Sequence, residues 1–357
     1  MPPKKNAYKF PNPLPLGLVL EDNFKKKWRL GPSIGKGGFG EIYSAQENST
    51  TNKNTYNNVV KIEPHENGPL FVEMHFYLRH AKPDMIQQYK NKKKLKLLGM
   101  PTYLGSGRHE HDNKNYRFIV MEKFGTDISK LFFENNRTFA SETVFKLGVQ
   151  LLDVIGYIHS RGYVHADIKG ANILLGTTSD TKNQVYLVDF GLVTRFSTSE
   201  KPDPKKAHNG TLQYISRDGH LGIQSKRSDL EILGYNMIEW LGCTLPWDNG
   251  VTNTSVVHES KKKYMNNLNL LFRDCFGEHK PPDTIVKYME YVSNLKFEEE
   301  PDIEKLRNIL IAGIEAAGSS LKSPFKFKSV TTPLKRNLET KAFLSPKKAK
   351  VVKKRKS

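Results

Sequence analysis

His165-Ala166-Asp167-Ile168-Lys169-Gly170-Ala171-Asn172 is the stretch on which the reading of this chain turns. It sets a carboxylate, an ammonium two residues on and a side-chain amide five residues on within one short loop. Asp167 can orient and deprotonate a hydroxyl, Lys169 can steady a transferred phosphate, and Asn172 can ligand a magnesium ion. The plain alternative is a polar loop beside a helix. Seventeen residues after Asn172, the apolar run Val185-Tyr186-Leu187-Val188 reads as a strand that delivers Asp189-Phe190-Gly191. Asp189 would bridge magnesium to the β- and γ-phosphates of a nucleotide.

Upstream, Gly35-Lys36-Gly37-Gly38-Phe39-Gly40-Glu41-Ile42 lies between two strand-like runs. Glycines let the backbone approach a polyphosphate without Cβ obstruction. Taken alone, the segment is equally a glycine-rich hairpin turn. A dinucleotide site would need a helix after the glycines, but Glu41-Ile42-Tyr43-Ser44-Ala45 reads as a strand. Asn58-Val59-Val60-Lys61-Ile62 is a further strand, and its lysine can neutralise phosphates if a carboxylate holds it. Glu73, twelve residues on, is the natural partner. Alone, this pair reads as a surface lysine and an exposed helical glutamate. The order of the four segments carries the argument.

The surrounding pattern is α+β. Strands are expected over Trp28–Ile34, 41–45, 58–62 and 116–121. One helix is expected from Pro69 to about His80, with Phe71, Met74 and Leu78 on one face. After Gly125 helices dominate: 141–160, 228–242 with Ser228 as its cap, 256–275, 284–294 and 302–316. A small β-rich lobe (about 28–121) therefore precedes a larger helical lobe (about 125–318). Residues 1–27, with five prolines before position 20, read as an extended arm, and 319–357 as a disordered basic tail.

This ordered set resembles the eukaryotic protein kinase pattern over roughly residues 28–318. Gly210-Thr211-Leu212-Gln213-Tyr214-Ile215-Ser216 stands where most kinases carry A-P-E, and Lys226-Arg227-Ser228-Asp229-Leu230-Glu231-Ile232-Leu233-Gly234-Tyr235 follows. That combination looks like the casein kinase 1 group. Glu66-Asn67-Gly68-Pro69-Leu70-Phe71, Leu104-Gly105-Ser106-Gly107 and Tyr163 to Lys169 resemble the vaccinia-related kinase family within it. The resemblance implies a bilobal kinase fold and an ATP- and Mg2+-dependent Ser/Thr kinase. Its usual substrates would be chromatin proteins, namely histone H3 and barrier-to-autointegration factor.

Carried over position by position, Gly35, Gly37 and Gly40 would cover the phosphates and Ile42 would pack on adenine. Met121 would be the gatekeeper, with Glu122, Lys123 and Phe124 as the hinge. Asp229 would brace the catalytic loop, and Thr211 would sit near Asp167 and Lys169. Two departures stand out. Ala166 replaces the usual arginine that grips a phosphorylated activation segment, so 191–210 need not be phosphorylated to be ordered. Phe190 stands where the family more often has tyrosine.

The chain has 357 residues, a formal net charge of +19 and two cysteines, Cys243 and Cys275. So few cysteines exclude a disulfide scaffold and a cysteine zinc site, and fit a reducing compartment. No apolar run is long enough to span a membrane, and no secretory signal is read at the N-terminus. Residues 321–357 carry a net +12 against +7 for the rest. Pro346 to Lys356 resembles a nuclear import signal, with Lys335-Arg336 as a possible upstream half. A nuclear monomer is expected, without membrane attachment, with an import receptor and DNA or nucleosomes as partners of the tail. The cluster Lys90, Lys92, Lys93, Lys94 and Lys96 is a solvated helix face or a phosphate dock. A pseudokinase scaffold and a chromatin-binding module are the competing readings. Intact Lys61, Asp167, Asn172 and Asp189 oppose the first, and the second leaves the ordered motifs unexplained.

Overall fold

The computed structural model describes residues 13–36, 40–48, 55–248, 250 and 252–327. Six antiparallel strands form the first lobe: β1 (Val19–Glu21), β2 (Lys27–Lys36), β3 (Glu41–Glu47), β4 (Asn58–Pro64), β5 (Tyr103–His111) and β6 (Lys114–Glu122). Their order in the sheet is β1-β2-β3-β4-β6-β5. Helices α1 (Pro69–His80) and α2 (Pro83–Lys93) sit between β4 and β5 in sequence.

Strand alternation explains how this sheet serves a cleft. Successive side chains leave opposite faces. Val60, Ile62, Phe118 and Val120 join Trp28, Leu30 and Tyr43 in one core, whereas Val59, Ile119 and Met121 join the core that continues into the second lobe. Lys61 and Glu63 share the face of Val59, so the alternation that buries the valines turns the lysine toward the cleft.

The second lobe holds α3 (Ile128–Glu134), α4 (Ser141–Ser160), α5 (Arg217–His220), α6 (Lys226–Trp240), α7 (Thr254–Asn266), α8 (Leu268–Phe276), α9 (Asp283–Asn294) and α10 (Ile303–Ala316). Short strands β7 (Tyr163–Val164), β8 (Ile173–Leu175), β9 (Val185–Leu187) and β10 (Thr194–Arg195) frame the loops between α4 and α5. Helix α4 buries 14 of its 20 residues and α6 buries 12 of 15, so both are central helices packed on all sides. Gly148 makes this possible: a Cβ there would meet Leu310 Cδ1 at 2.7 Å and Met237 Sδ at 2.8 Å, so α4 approaches α6 and α10 only where a side chain is missing.

Several expectations are corrected. The N-terminal arm is not wholly separate from the sheet: β1 pairs with β2, Leu14 and Leu20 are buried, and Asp22 Oδ2 accepts from Trp28 Nε1 at 2.9 Å. Proline-rich composition hid three residues of strand. Helix α1 has the expected bounds but the opposite face. Its buried residues are Leu70, Glu73, Phe76 and Tyr77, while Phe71 is 49% exposed and Leu78 is 37% exposed. The inward stripe includes a carboxylate, so apolar spacing alone selects the wrong side.

The cap of α6 is Ser225, whose side chain accepts from Ser228 N. The expected 256–275 helix breaks at Asn267, which caps α8. Strand β5 was not anticipated, and of helix α2 only the lysine-bearing end was read as a helix face. The globular part also does not stop at 318. Lys146 Nζ donates to Ser319 Oγ at 2.9 Å and Thr143 Oγ1 donates to Lys326 O at 3.0 Å. Phe325 and Phe327 pack against the core. Two aromatics among lysines were concealed by basic composition. The import-like segment lies outside the described residues.

Asp229, near the start of α6, ties this helix to the loop that begins at His165. It is fully buried, and its carboxylate accepts from His165 N and Ala166 N at 2.9 Å each, with His159 Nε2 at 2.9 Å. These bonds hold the Asp229 carboxyl below its usual pKa even though burial alone would raise it. Replacing Asp229 by alanine strands buried donors and should lower the unfolding free energy by on the order of 3–5 kcal/mol. Chemical denaturation measures this, and a wild-type midpoint would contradict it.

Candidate active site

The lobes enclose a cavity of about 490 Å3. Gly40, Lys61, Asp167, Lys169, Asp189 and Thr211 line it, so residues from five separate motifs converge there. Lys61 Nζ lies 2.6 Å from Glu73 Oε2 and 2.8 Å from Asp189 Oδ1. Burial disfavours the ammonium, but the two carboxylates outweigh it, and its pKa lies above the usual lysine value. The same ammonium holds the Asp189 carboxyl below its usual value against the opposing effect of burial.

Glu73 also accepts from Phe190 N at 3.2 Å through its other oxygen. One helical carboxylate therefore orders both the β4 lysine and the loop after β9. Phe190 is fully buried, stacks on Phe76 at 4.7 Å and meets the edge of His165 at 4.9 Å. Asp189 itself has a left-handed backbone, φ +64°. Such a conformation costs on the order of 1–3 kcal/mol in a non-glycine residue, and the Asp189–Lys61 ion pair together with the bond from Phe190 N to Glu73 holds it.

Asp167 is the second hub. Its Oδ1 accepts from Thr211 N at 3.0 Å and Thr211 Oγ1 at 2.8 Å. Its Oδ2 accepts from Lys169 Nζ at 2.7 Å, and Lys169 Nζ also donates to Thr211 Oγ1 at 2.9 Å. Asn172 Nδ2 donates to Asp167 O at 2.9 Å. The next residue into this loop, Ala166, has φ +66°, and Asp229 accepts its N–H. His165 is buried, and burial lowers its pKa, so it stays neutral and braces the loop through Val188 O.

The segment after Asp189 is tied down by protein groups alone. Strand β10 pairs with β7, Ser197 N donates to Gln224 O at 2.6 Å, and Arg227 binds Glu200 at 2.6 Å and Asp218 at 2.7 Å. At Gly40 a Cβ would lie 2.4 Å from Ile62 O, so only glycine lets the backbone at this position approach β4.

Gly35, Ile42, Met121, Glu122 and Phe124 do not line this cavity. Gly35 and Ile42 face each other across β2 and β3. Met121 pairs with Val59 at the end of β6, followed by Glu122 and then Phe124, whose ring stacks on Tyr186 at 4.3 Å. Lys123 N donates to Asn57 O at 3.0 Å, so an adenine edge would draw on the neighbouring backbone instead. Gly37 lies outside the described residues.

Glu63, His208 and Asn209 line the cavity and were missed. Strand alternation from Lys61 could have found Glu63, whose carboxyl burial pushes up to about 7; no local pattern marks His208. Lys92, Lys93, Lys94 and Lys96 are exposed at and beyond the C-terminal end of α2, where cations suit the helix dipole.

Among the described residues no cluster of three or more His, Cys, Asp or Glu could hold a metal, and no helix is long and apolar enough to cross a membrane. The contacts above leave Asn172 Oδ1 and Asp189 Oδ2 as hard oxygen atoms for a cation. Two such donors plus nucleotide phosphates suit magnesium, which is seldom caged by protein alone.

A protein kinase domain model matches residues 28–296. The chain is 50% identical over 311 residues to Nucleosomal histone kinase 1 of Drosophila melanogaster, covering 85% of this chain and 51% of that protein. It is 41% identical over 317 residues to Serine/threonine-protein kinase VRK2 of Homo sapiens, covering 87% and 62%. The chain thus spans about half to three fifths of the length of these relatives. The solved structure of vaccinia related kinase 3 matches with a TM-score of 0.77 and 29% identity over 88% of this chain and 96% of that one. With a bilobal fold, a matching domain model and relatives of this kind, the chain belongs to the protein kinases, in the vaccinia-related kinase family.

Proposed function

We propose that this chain is an active, Mg2+-dependent serine/threonine kinase of nuclear chromatin proteins, histone H3 and barrier-to-autointegration factor among them. One observation carries the catalytic part. Asp167, Lys169 and Thr211 meet within 3 Å of one another, beside a Lys61 held by Glu73 and Asp189. The Drosophila relative's name, a nucleosomal histone kinase, supports the substrate class. The basic tail supports the nuclear part.

In this reading Asp167 orients the substrate serine or threonine and accepts its hydroxyl proton. Lys169 sits beside that carboxylate and balances charge on the phosphoryl group in flight. Lys61 positions the α- and β-phosphates, and Glu73 keeps Lys61 from following the nucleotide. The turn at Gly40 brings backbone close to the phosphates. Magnesium, held by Asn172 and Asp189, would neutralise charge on the β- and γ-phosphates. Little bond-making falls to the protein, so rate depends on positioning and fixed charge.

The direct test is radiolabelled phosphate transfer from ATP to histone H3 and barrier-to-autointegration factor, with Asp167→Asn beside the wild type. Transfer by the wild type and its loss in the variant are expected. Lys61→Met should stay folded while kcat falls by on the order of 10²–10³ or more. Full turnover in a folded Lys61→Met chain would sink the assignment.

Order in the activation segment rests on Arg227, Glu200, Asp218 and β10, with Ala166 where a phosphate-gripping arginine would stand. Phosphatase-treated enzyme should therefore keep its initial rate in a brief assay. A large drop, recovered on preincubation with ATP, would refute this.

Deleting residues 328–357 spares the segment packed on α4. It should leave peptide kinase activity nearly unchanged, abolish nuclear accumulation and weaken DNA binding, with a shallower salt dependence. A truncated chain that stays nuclear and holds DNA as tightly would shift attention to the lysines at the end of α2.

A further inference from the structure

Helix α7 carries three consecutive lysines, and they do not share an environment. Lys262 and Lys263 are exposed, whereas Lys261 is fully buried. Its direct partners carry no formal charge. Nζ donates to Leu212 O at 2.8 Å and to Ile215 O at 2.7 Å, and lies 3.4 Å from His220 Nε2. The rings of Tyr235 and Trp247 lie 5.6 and 5.4 Å away. A buried ammonium is costly unless its hydrogens are all used, and here both carbonyl acceptors lie in one short segment.

The two carbonyls belong to the turn that follows Thr211. Tyr214 N and Ile215 N close that turn on Thr211 O at 2.8 and 3.0 Å. Thr211 in turn donates its N–H and hydroxyl to Asp167. On the other side, His220 Nδ1 faces His208 Nδ1 at 3.0 Å, and His208 lines the interlobe cavity.

We propose that Lys261 is a positioning residue for the protein substrate: it holds the 211–215 turn beside Asp167 and passes its protonation state through His220 to His208 at the cavity wall. The inference rests on the kinase reading above.

The proton arrangement follows from the donors. Two ring nitrogens in hydrogen-bond contact share one proton. With Lys261 charged, Nζ donates to His220 Nε2, so His220 carries its hydrogen on Nδ1 and donates to His208. With Lys261 neutral, its lone pair can accept from His220 Nε2–H, and His208 Nδ1–H then donates to His220. His220 stays neutral in both arrangements. Burial, with Lys261, His258 and His208 around it, brings its pKa down to about 2. Burial also lowers Lys261 to about 7, opposed by Glu231 and Asp248.

The groups facing this site come from every neighbouring element. They are Glu231 and Tyr235 on α6, Asp248 after it, His220 on α5, His208 ahead of it, and His258 and Lys262 on α7. The His258 ring stacks on His220 at 4.8 Å. As pH rises through neutrality Lys261 loses its charge, and its grip on the two carbonyls weakens.

The test compares Lys261→Met and Lys261→Arg with the wild-type chain. Lys261→Met should raise KM for a protein substrate about tenfold, as two charged hydrogen bonds are lost, and leave KM for ATP unchanged. Amide exchange at Tyr214 and Ile215 should quicken, and Lys261→Arg should restore much of the protection. Wild-type protein-substrate KM should rise between about pH 6 and pH 8, whereas Lys261→Arg should show no such rise, because arginine stays charged. Nitrogen NMR should show His208 and His220 changing tautomer over that range in the wild type alone.

If the wild type transfers phosphate and Lys261→Met keeps both wild-type KM and wild-type exchange, the proposal fails and the kinase reading stands. If the wild type transfers nothing, the kinase reading fails, and the exchange data still decide whether Lys261 holds the turn. Should Lys261→Met not fold, a pH-independent His208 tautomer in the wild type would overturn the proposal.

Discussion

One ammonium, Lys61, is gripped by a carboxylate from each side of the cleft. Glu73 comes from a helix of the sheet lobe and Asp189 from a loop of the helical lobe, at 2.6 and 2.8 Å. The rest of the site depends on this three-charge contact. Glu73 also takes the N–H of Phe190, so α1, β4 and the loop after β9 are set by one side chain. Opposite charges at such distances in a partly dry cleft attract strongly. Moving α1 outward would therefore strand a lysine, an aspartate and a buried N–H together.

The helical lobe supplies the second fixed point. Buried polar groups on α6 reach into the catalytic loop: Asp229 to His165 and Ala166, and Asn236 Nδ2 to Ile168 O at 3.0 Å. The left-handed Ala166 is held by these bonds. Asp167 is thus delivered by a loop fastened from beneath by α6 and from the side by the Thr211 turn. Asp229 and Asn236 are polar side chains inside a helix that packs on all sides, and both bond the backbone of that loop.

Much of this was legible in the sequence, for physical reasons that differ by element. That Lys61, Asp167 and Asp189 would come together was legible because a phosphoryl-transfer site calls for those residue types, and the structure brings them to one cavity. The long helix 141–160 was readable because its apolar spacing extends over twenty residues. What failed was inference from composition. Prolines hid β1, and lysines hid Phe325 and Phe327. The inward face of α1 was misread because its key residue, Glu73, is charged. Among long-range partners, Thr211 and Asp229 came only through the family resemblance, and others were not legible. Nothing local distinguishes Lys261 from Lys262, and only the fold brings His208 to the cavity.

The account's central claim is that Lys61, Glu73 and Asp189 form one prepared site for a nucleotide and its cation. Calorimetric titration of ATP with and without Mg2+ tests it most directly, comparing the wild type with Asp189→Asn. The account predicts that Mg2+ tightens ATP binding to the wild type and that Asp189→Asn loses this enhancement while staying folded. Equal ATP affinity with and without Mg2+ in the wild type, or an unchanged enhancement in Asp189→Asn, would contradict it.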